Sequence, residues 1–380
     1  MTVYLDSSAT TIPYKEVCDT VCETMLNTYA NPSSLHNLGK DAEDLMENAR
    51  KYISGTINGT PNEIYFTSGG TESDNIAILG YARANKREGL RVITQKTEHM
   101  AVLESFSELE KEGFEVIYVD VDSFGMPDIN QIKNSVNDNT ILLSFMHVNN
   151  ENGAIFPIDE ISSLIDHKKC VLHVDAVQSY GKMKIDVKKS KIDMLSLSAH
   201  KIHGPNGVGA LYVKKGLKIN PVIFGGKQEG ALRSGTQNVA GIYGFMTASK
   251  IKHENMKLDE EKVLSLKNRL LNGIGKEIEN VYVNSSIQSS PYILNVSFPP
   301  IRSEILLHVL ESNGIYISTG SACSSKKNSK SYVLKSMALK DNIIDSAIRF
   351  SFSSLNTKEE IDYTLDVLKK EIPKLRKIIR

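Results

Sequence analysis

The chain has 380 residues, 41% of them hydrophobic, which is enough for one large core and a second, smaller one. Its 45 acidic and 45 basic residues cancel, so no overall field draws it to nucleic acid or to an anionic membrane. No apolar run is long enough to span a bilayer, the first residues lack the basic and apolar regions of a secretory signal, and four cysteines are too few for a disulfide scaffold, so the expected location is the cytoplasm.

The first dozen residues are expected to complete the C-terminal part of the fold. Cys18 and Cys22 lie one turn apart in a segment with helical periodicity, and are expected to pack into the core as small hydrophobes. From about residue 60 to 215, short β-branched runs alternate with amphipathic stretches. Strands are predicted at 63–67, 91–94, 115–119, 141–147, 171–174, 194–197 and 208–213, with helical stretches at 72–87, 99–111 and 159–167. This alternation predicts an α/β fold with a mostly parallel sheet and helices on both faces. The last two strands are so close in sequence that an antiparallel pairing is expected there. Beyond the glycine-rich 225–235 segment, a long helix is predicted over 239–271. Short strands follow near Val281 and at 293–298, then a helix at 303–312, a strand at 348–352 and a final helix from Lys358. The expected division is a large domain at 14–250 and a smaller α+β domain made of 1–13 and 251–380.

In an open parallel sheet, ligands bind beyond the carboxyl ends of the strands, and five of the predicted strands end in polar groups. Ser68-Gly-Gly-Thr71 follows the first and opens a helix, which makes a cradle for phosphate. His99 follows the second, Asn149 and Asn150 the strand at 141–147, Asp175 the strand at 171–174, and Lys201 the strand at 194–197. A lysine in that place can form a Schiff base with an aldehyde cofactor, and an aspartate can pair with the protonated ring nitrogen of pyridoxal phosphate (PLP). Phosphate finds a helix N-terminus, the aldehyde a lysine, the pyridinium a carboxylate, and the ring a flat histidine. A metal site is not expected, because His200 and His203 flank Lys201 without a cysteine or carboxylate at ligand spacing. Cys170 is expected to be inert. Cys323 sits in the small, polar Gly320-Ser-Ala-Cys-Ser-Ser325, followed by Lys326 and Lys327, a setting that suits a reactive thiolate.

The ordered motifs resemble the PLP-dependent cysteine desulfurases of the NifS/IscS type, in the aspartate-aminotransferase-like fold type I. They include Tyr4-Leu-Asp-Ser-Ser-Ala-Thr-Thr11, Thr67-Ser-Gly-Gly-Thr-Glu-Ser-Asp-Asn75, Thr97-Glu-His99 and His147-Val-Asn-Asn-Glu151. They continue through His173-Val-Asp-Ala-Val-Gln178, Ser198-Ala-His-Lys201, Arg233-Ser-Gly-Thr236, Gly320-Ser-Ala-Cys323 and Ile348-Arg-Phe-Ser351.

The resemblance implies that Lys201 holds PLP covalently and shuttles protons, that Asp175 pairs with the ring nitrogen and Gln178 with the ring oxygen, and that His99 stacks on the ring. It further implies that His99 assists proton transfer, that Gly70, Thr71, Ser198 and His200 contact the phosphate, and that Thr236 reaches the phosphate of a partner subunit, hence a homodimer. Asn150 and Arg349 would orient the carboxylate of L-cysteine, and Cys323 would accept its sulfur as a persulfide and release alanine. The acceptor would be an iron–sulfur scaffold or a tRNA-thiolation enzyme. Gly225-Gly-Lys-Gln-Glu-Gly-Ala231 departs from the family pattern, with Gly230 in place of a basic residue. Lys201 by itself does not separate a desulfurase from another PLP lyase or transaminase. Cys323 makes that distinction.

Overall fold

The computed structural model describes residues 1–320 and 330–379. Strand β1 (Val3–Tyr4) opens the chain. Seven strands follow: β2 (Ile64–Thr67), β3 (Arg91–Gln95), β4 (Glu115–Val119), β5 (Thr140–Met146), β6 (Val171–Asp175), β7 (Met194–Ser198) and β8 (Gly209–Val213). They form one sheet in the order β2-β8-β7-β6-β5-β3-β4. All pairings are parallel except those of β8, which runs antiparallel to both β7 and β2. Each predicted strand agrees to within a residue at either end.

Side chains alternate across this sheet with the period of two that strands impose. On β8, Ala210 and Tyr212 join the core formed with the Lys15–Asn27, Asn37–Thr56 and Val239–Glu277 helices. Leu211 and Val213 face the opposite core, where Ile76–Ala82 and Phe106 pack. The helix expected from residue 72 starts two residues earlier, at Gly70, and runs to Ala84 through a wider turn at Ile76–Gly80. The stretch expected over 159–167 is helical only over Ile158–Ser163. Cys18 and Cys22 correct another expectation, because both are exposed. Their helix buries Val17 and Thr24, and the two cysteines fall outside that stripe. Cys170 is buried, and burial pushes its thiol up to about 12.

The remaining strands are β9 (Tyr282–Val283), β10 (Ile293–Ser297), β11 (Ile315–Tyr316) and β12 (Ala347–Ser351). β12, β10 and β9 form an antiparallel sheet, and β1 pairs with β11. The first residues thus do join the C-terminal part. Val3 and Leu5 share a core with Leu266, Phe298, Leu310 and Phe350. The long helix, which extends six residues past its predicted end, serves both cores: Phe245 and Ala248 pack with the large sheet, and Val263 to Ile274 with the smaller one.

Candidate active site

Four parallel strands and β2 point their carboxyl ends at one cavity of about 210 Å³. Gly70, Thr71, His99, Asn150, Asp175, Gln178, Ser198, His200, Lys201 and Arg349 all line it. Of the residues singled out in the sequence, Thr236 lies elsewhere, exposed at the surface. Cys323 lies outside the described residues.

At one end of the cavity the chain leaves β2 through Gly69, whose φ of 154° is a conformation that glycine alone adopts without strain. A Cβ on Gly70 would come within 2.6 Å of Val177 Cγ2, so the lack of a side chain lets the start of this helix sit against the cavity wall. Ser198 Oγ is buried beside it, and His200 Nδ1 is 3.1 Å from Thr10 Oγ1. Burial and the neighbouring lysines Lys201 and Lys182 lower the His200 pKa to about 4. His99 caps the Met100–Lys111 helix, its Nδ1 accepting from the Ala101 N–H at 3.2 Å. Burial and Lys201 hold its pKa near 4, so the ring is neutral at neutral pH, with its proton on Nε2.

Asp175 ends β6, flanked in register by Met146 and Ser196. Its Oδ1 accepts from the Val177 N–H at 2.9 Å. Burial raises its pKa to about 6, while that N–H and the Lys201 charge pull the other way. A cationic ring nitrogen would restore it to an ordinary carboxylate. Behind it, His173 is wedged between Ser144 Oγ at 2.8 Å and Ser196 Oγ at 2.9 Å, with Asp74 Oδ1 3.6 Å away. Burial keeps His173 neutral and raises the Asp74 pKa well above the usual range.

Lys201 closes the short turn after β7, and its Nζ donates to the carbonyls of Ser8 and Ala9 at 2.6 Å each. Arg349, on β12, is fully buried. One terminal nitrogen donates to the Asn150 carbonyl at 2.9 Å, and the other to Asp6 Oδ1 at 2.7 Å. Asp6, Ser8, Asp74 and Lys182 are the site residues that sequence reasoning did not single out. The first two lie inside the motif Tyr4-Leu-Asp-Ser-Ser-Ala, where they could have been found.

Four buried atoms of the cavity have no hydrogen-bond partner among the described residues: Asp74 Oδ1, Asn150 Oδ1, Ser198 Oγ and Arg349 Nε. Each such atom costs roughly 1–3 kcal/mol unless a ligand satisfies it. Donors at the glycine turn, an acid facing the β6 end and an amine at the β7 end match the phosphate, ring nitrogen and aldehyde of PLP. Fold and donor set together define the class of the PLP-dependent enzymes of the α/β type.

Within that class the chain belongs to the aminotransferase class-V family, which matches residues 3–364. It is 45% identical over 379 residues to Cysteine desulfurase IscS of Clostridium botulinum, covering 99% of this chain and 96% of that one. Among solved structures it is similar to a NifS-like protein, with a TM-score of 0.93, 37% identity and coverage of 98% of this chain and 100% of that one. SspA in complex with cysteine is similar at a TM-score of 0.81 and 32% identity, over 94% of this chain and 100% of that one.

Proposed function

We propose that this protein is a PLP-dependent cysteine desulfurase that converts L-cysteine to L-alanine and passes the sulfur through Cys323. The observation that carries the reading is the full-length similarity to Cysteine desulfurase IscS, laid over a cavity that keeps Lys201, Asp175, His99 and Arg349 together.

When bound, PLP supplies an aldehyde that condenses with amines and a ring that accepts the electron pair released at the substrate α-carbon. Gly70, Thr71, Ser198 and His200 would bind the phosphate, Asp175 would pair with the ring nitrogen, Gln178 would meet the ring oxygen, and the neutral His99 ring would stack on the face. Lys201 would hold the cofactor, and its amine would take and return the proton at the substrate α-carbon. Arg349 and Asn150 orient the substrate carboxylate, the arginine through its forked donors. The Cys323 thiolate attacks the substrate sulfur: a sulfur–sulfur bond forms, the carbon–sulfur bond breaks with its electrons going to carbon, and protonation there gives alanine.

A homodimer completes the reading, with Thr236 reaching the partner's phosphate. Met25, Leu26, Tyr29 and Leu35 are 65–105% exposed, an apolar segment in need of cover. A groove lined by Pro32, Ser33 and Gln237 brings that segment beside Thr236. No described helix is long and apolar enough to cross a membrane, and we assign the protein to the cytoplasm. The sulfur then goes to an iron–sulfur scaffold or a tRNA-thiolation enzyme.

The test is incubation with L-cysteine, followed by assay of alanine and mapping of persulfide. Alanine release with a persulfide on Cys323 is expected. Undiminished sulfide release by Cys323→Ser under a reductant would remove Cys323 from the reaction and favour a lyase in which it is incidental.

A further inference from the structure

A buried lysine, Lys182, lies behind the cavity, and the reaction described above does not use it. Lys182 follows Gln178 by four residues in the turn after β6 and is 6% exposed. Its Nζ is 3.3 Å from Gln178 Oε1 and 5.4 Å from the centroid of the Tyr292 ring. The adjacent Lys252, on the long helix, has an acid of its own in Asp259. Lys182 makes no such ion pair among the described residues. The other charged or titratable groups facing it are Lys201, His200 and His203 from the turn after β7. Burial, Lys252 and Lys201 lower its pKa to about 7.

An ammonium group has donors only. In its charged form Lys182 donates to the Gln178 amide oxygen, and the amide nitrogen is turned the other way. There it donates to the Ser8 carbonyl at 2.9 Å, the same oxygen that accepts from Lys201 at 2.6 Å. One side-chain amide and one main-chain oxygen thus connect the two lysines.

We propose that Lys182 is a positioning residue for the desulfurase reaction, holding Gln178 so that it offers N–H donors, not a carbonyl oxygen, to the ring oxygen of PLP. The inference rests on the assignment of Gln178 to that oxygen. With Lys182 removed, only the Ser8 carbonyl still holds the amide, which turns over more readily and sets its oxygen against an anionic one. The ring oxygen, and the lysine nitrogen attached beside it, then become more basic.

The experiment follows the visible absorbance of the holoenzyme against pH, without L-cysteine. In Lys182→Met the midpoint is expected to rise by about one pH unit, the size of one lost hydrogen bond to a charged group. Lys182→Gln, which keeps a donor, should recover part of the shift. Gln178→Leu should shift the midpoint in the same direction, and Lys182→Met should add nothing in that background. An unchanged midpoint in Lys182→Met, or a full additional shift on top of Gln178→Leu, overturns the proposal. If Lys182→Met does not fold, Lys182→Leu carries the same comparison. A native protein that stays colourless with PLP refutes the desulfurase reading instead, so the two failures are distinguishable.

Discussion

Arg349 reaches the cavity already paired, since Asp6 holds one terminal nitrogen and the Asn150 carbonyl the other. The pairing fixes the plane of the guanidinium before substrate arrives, which lowers the ordering cost of binding. Asp6→Asn keeps the size of the side chain and removes its charge. It is expected to raise the KM for L-cysteine about tenfold, the worth of one charge-assisted hydrogen bond, with a smaller effect on kcat. Steady-state kinetics decide it, and an unchanged KM would show that Arg349 is held well enough by Asn150 alone. Lys201→Ala should leave the fold intact and abolish the visible absorbance of lysine-bound PLP. The strand-end residues of this site were legible because each follows a short β-branched run whose carboxyl end must face the ligand edge. Asp6 and Ser8 lie inside the first motif, but their partners are far away in sequence, so nothing beyond the motif assigns them a role. Asp6 meets Arg349 across 343 residues of chain, and Ser8 meets Gln178 across 170. Lys182 reads in sequence as one more surface lysine, and only the packing of Tyr292 and Gln178 over it makes it a buried one.

The elements themselves were legible wherever periodicity alone decides. The central strands β5 to β8 are buried on both faces, so they stand out as apolar runs between helical patterns. The Asn37–Thr56 helix was not predicted, although its signals were present: His36 as N-cap, and buried Ala42, Met46, Ala49 and Ile53 at spacings of three and four. The cysteines misled for a related reason. Cys18 and Cys22 keep a helical spacing, but the face they occupy is set by what packs on Val17. The long helix joins the two cores, and we propose that the boundary between the large domain at 14–250 and the smaller one at 1–13 and 251–380 lies within it. At the phosphate end, β8 is the element that brings the cradle together. Its first residue, Gly209, pairs with Thr67 on one side and Ser198 on the other. A Cβ there would lie 2.5 Å from the Leu197 carbonyl oxygen and 2.7 Å from Gly69 Cα, both main-chain atoms that cannot swing aside. Gly209→Ala should therefore destabilise the protein by about 1–3 kcal/mol and weaken PLP binding. Denaturant unfolding and a PLP titration measure the two effects, and a variant that matches the native protein in both would show that β2 and β7 can spread at little cost.

On the scale of the whole molecule, burial of ionisable groups sets the response to acid. His99, His147, His200 and His203 have pKa values lowered to about 4, and His173 to about 3, chiefly by burial. An unfolded chain binds protons at such groups near pH 6.5, whereas the folded one refuses them until near pH 4. Stability from these histidines is therefore complete above about pH 6.5 and is lost as the pH falls through that window. Three buried carboxyls oppose them. Asp74 and Glu98 are raised well above the usual range and Asp175 to about 6, so the native state holds protons there that the unfolded chain releases. Their contribution is present at low pH and fades as the pH rises through the raised values. Between pH 6 and 4.5 the histidines outnumber the carboxyls, so unfolding should take up protons, and the cofactor-free protein should lose stability steadily as the pH falls. Calorimetric melts across that range test the balance. A melting temperature that stays level down to pH 4.5 would mean that the carboxyls cancel the histidines. Replacement of His173 by Asn, at the centre of the buried Ser144–Ser196 pair, should then reduce the slope by the share of one proton, because it removes one titrating group while leaving the Asp175 end of the site in place.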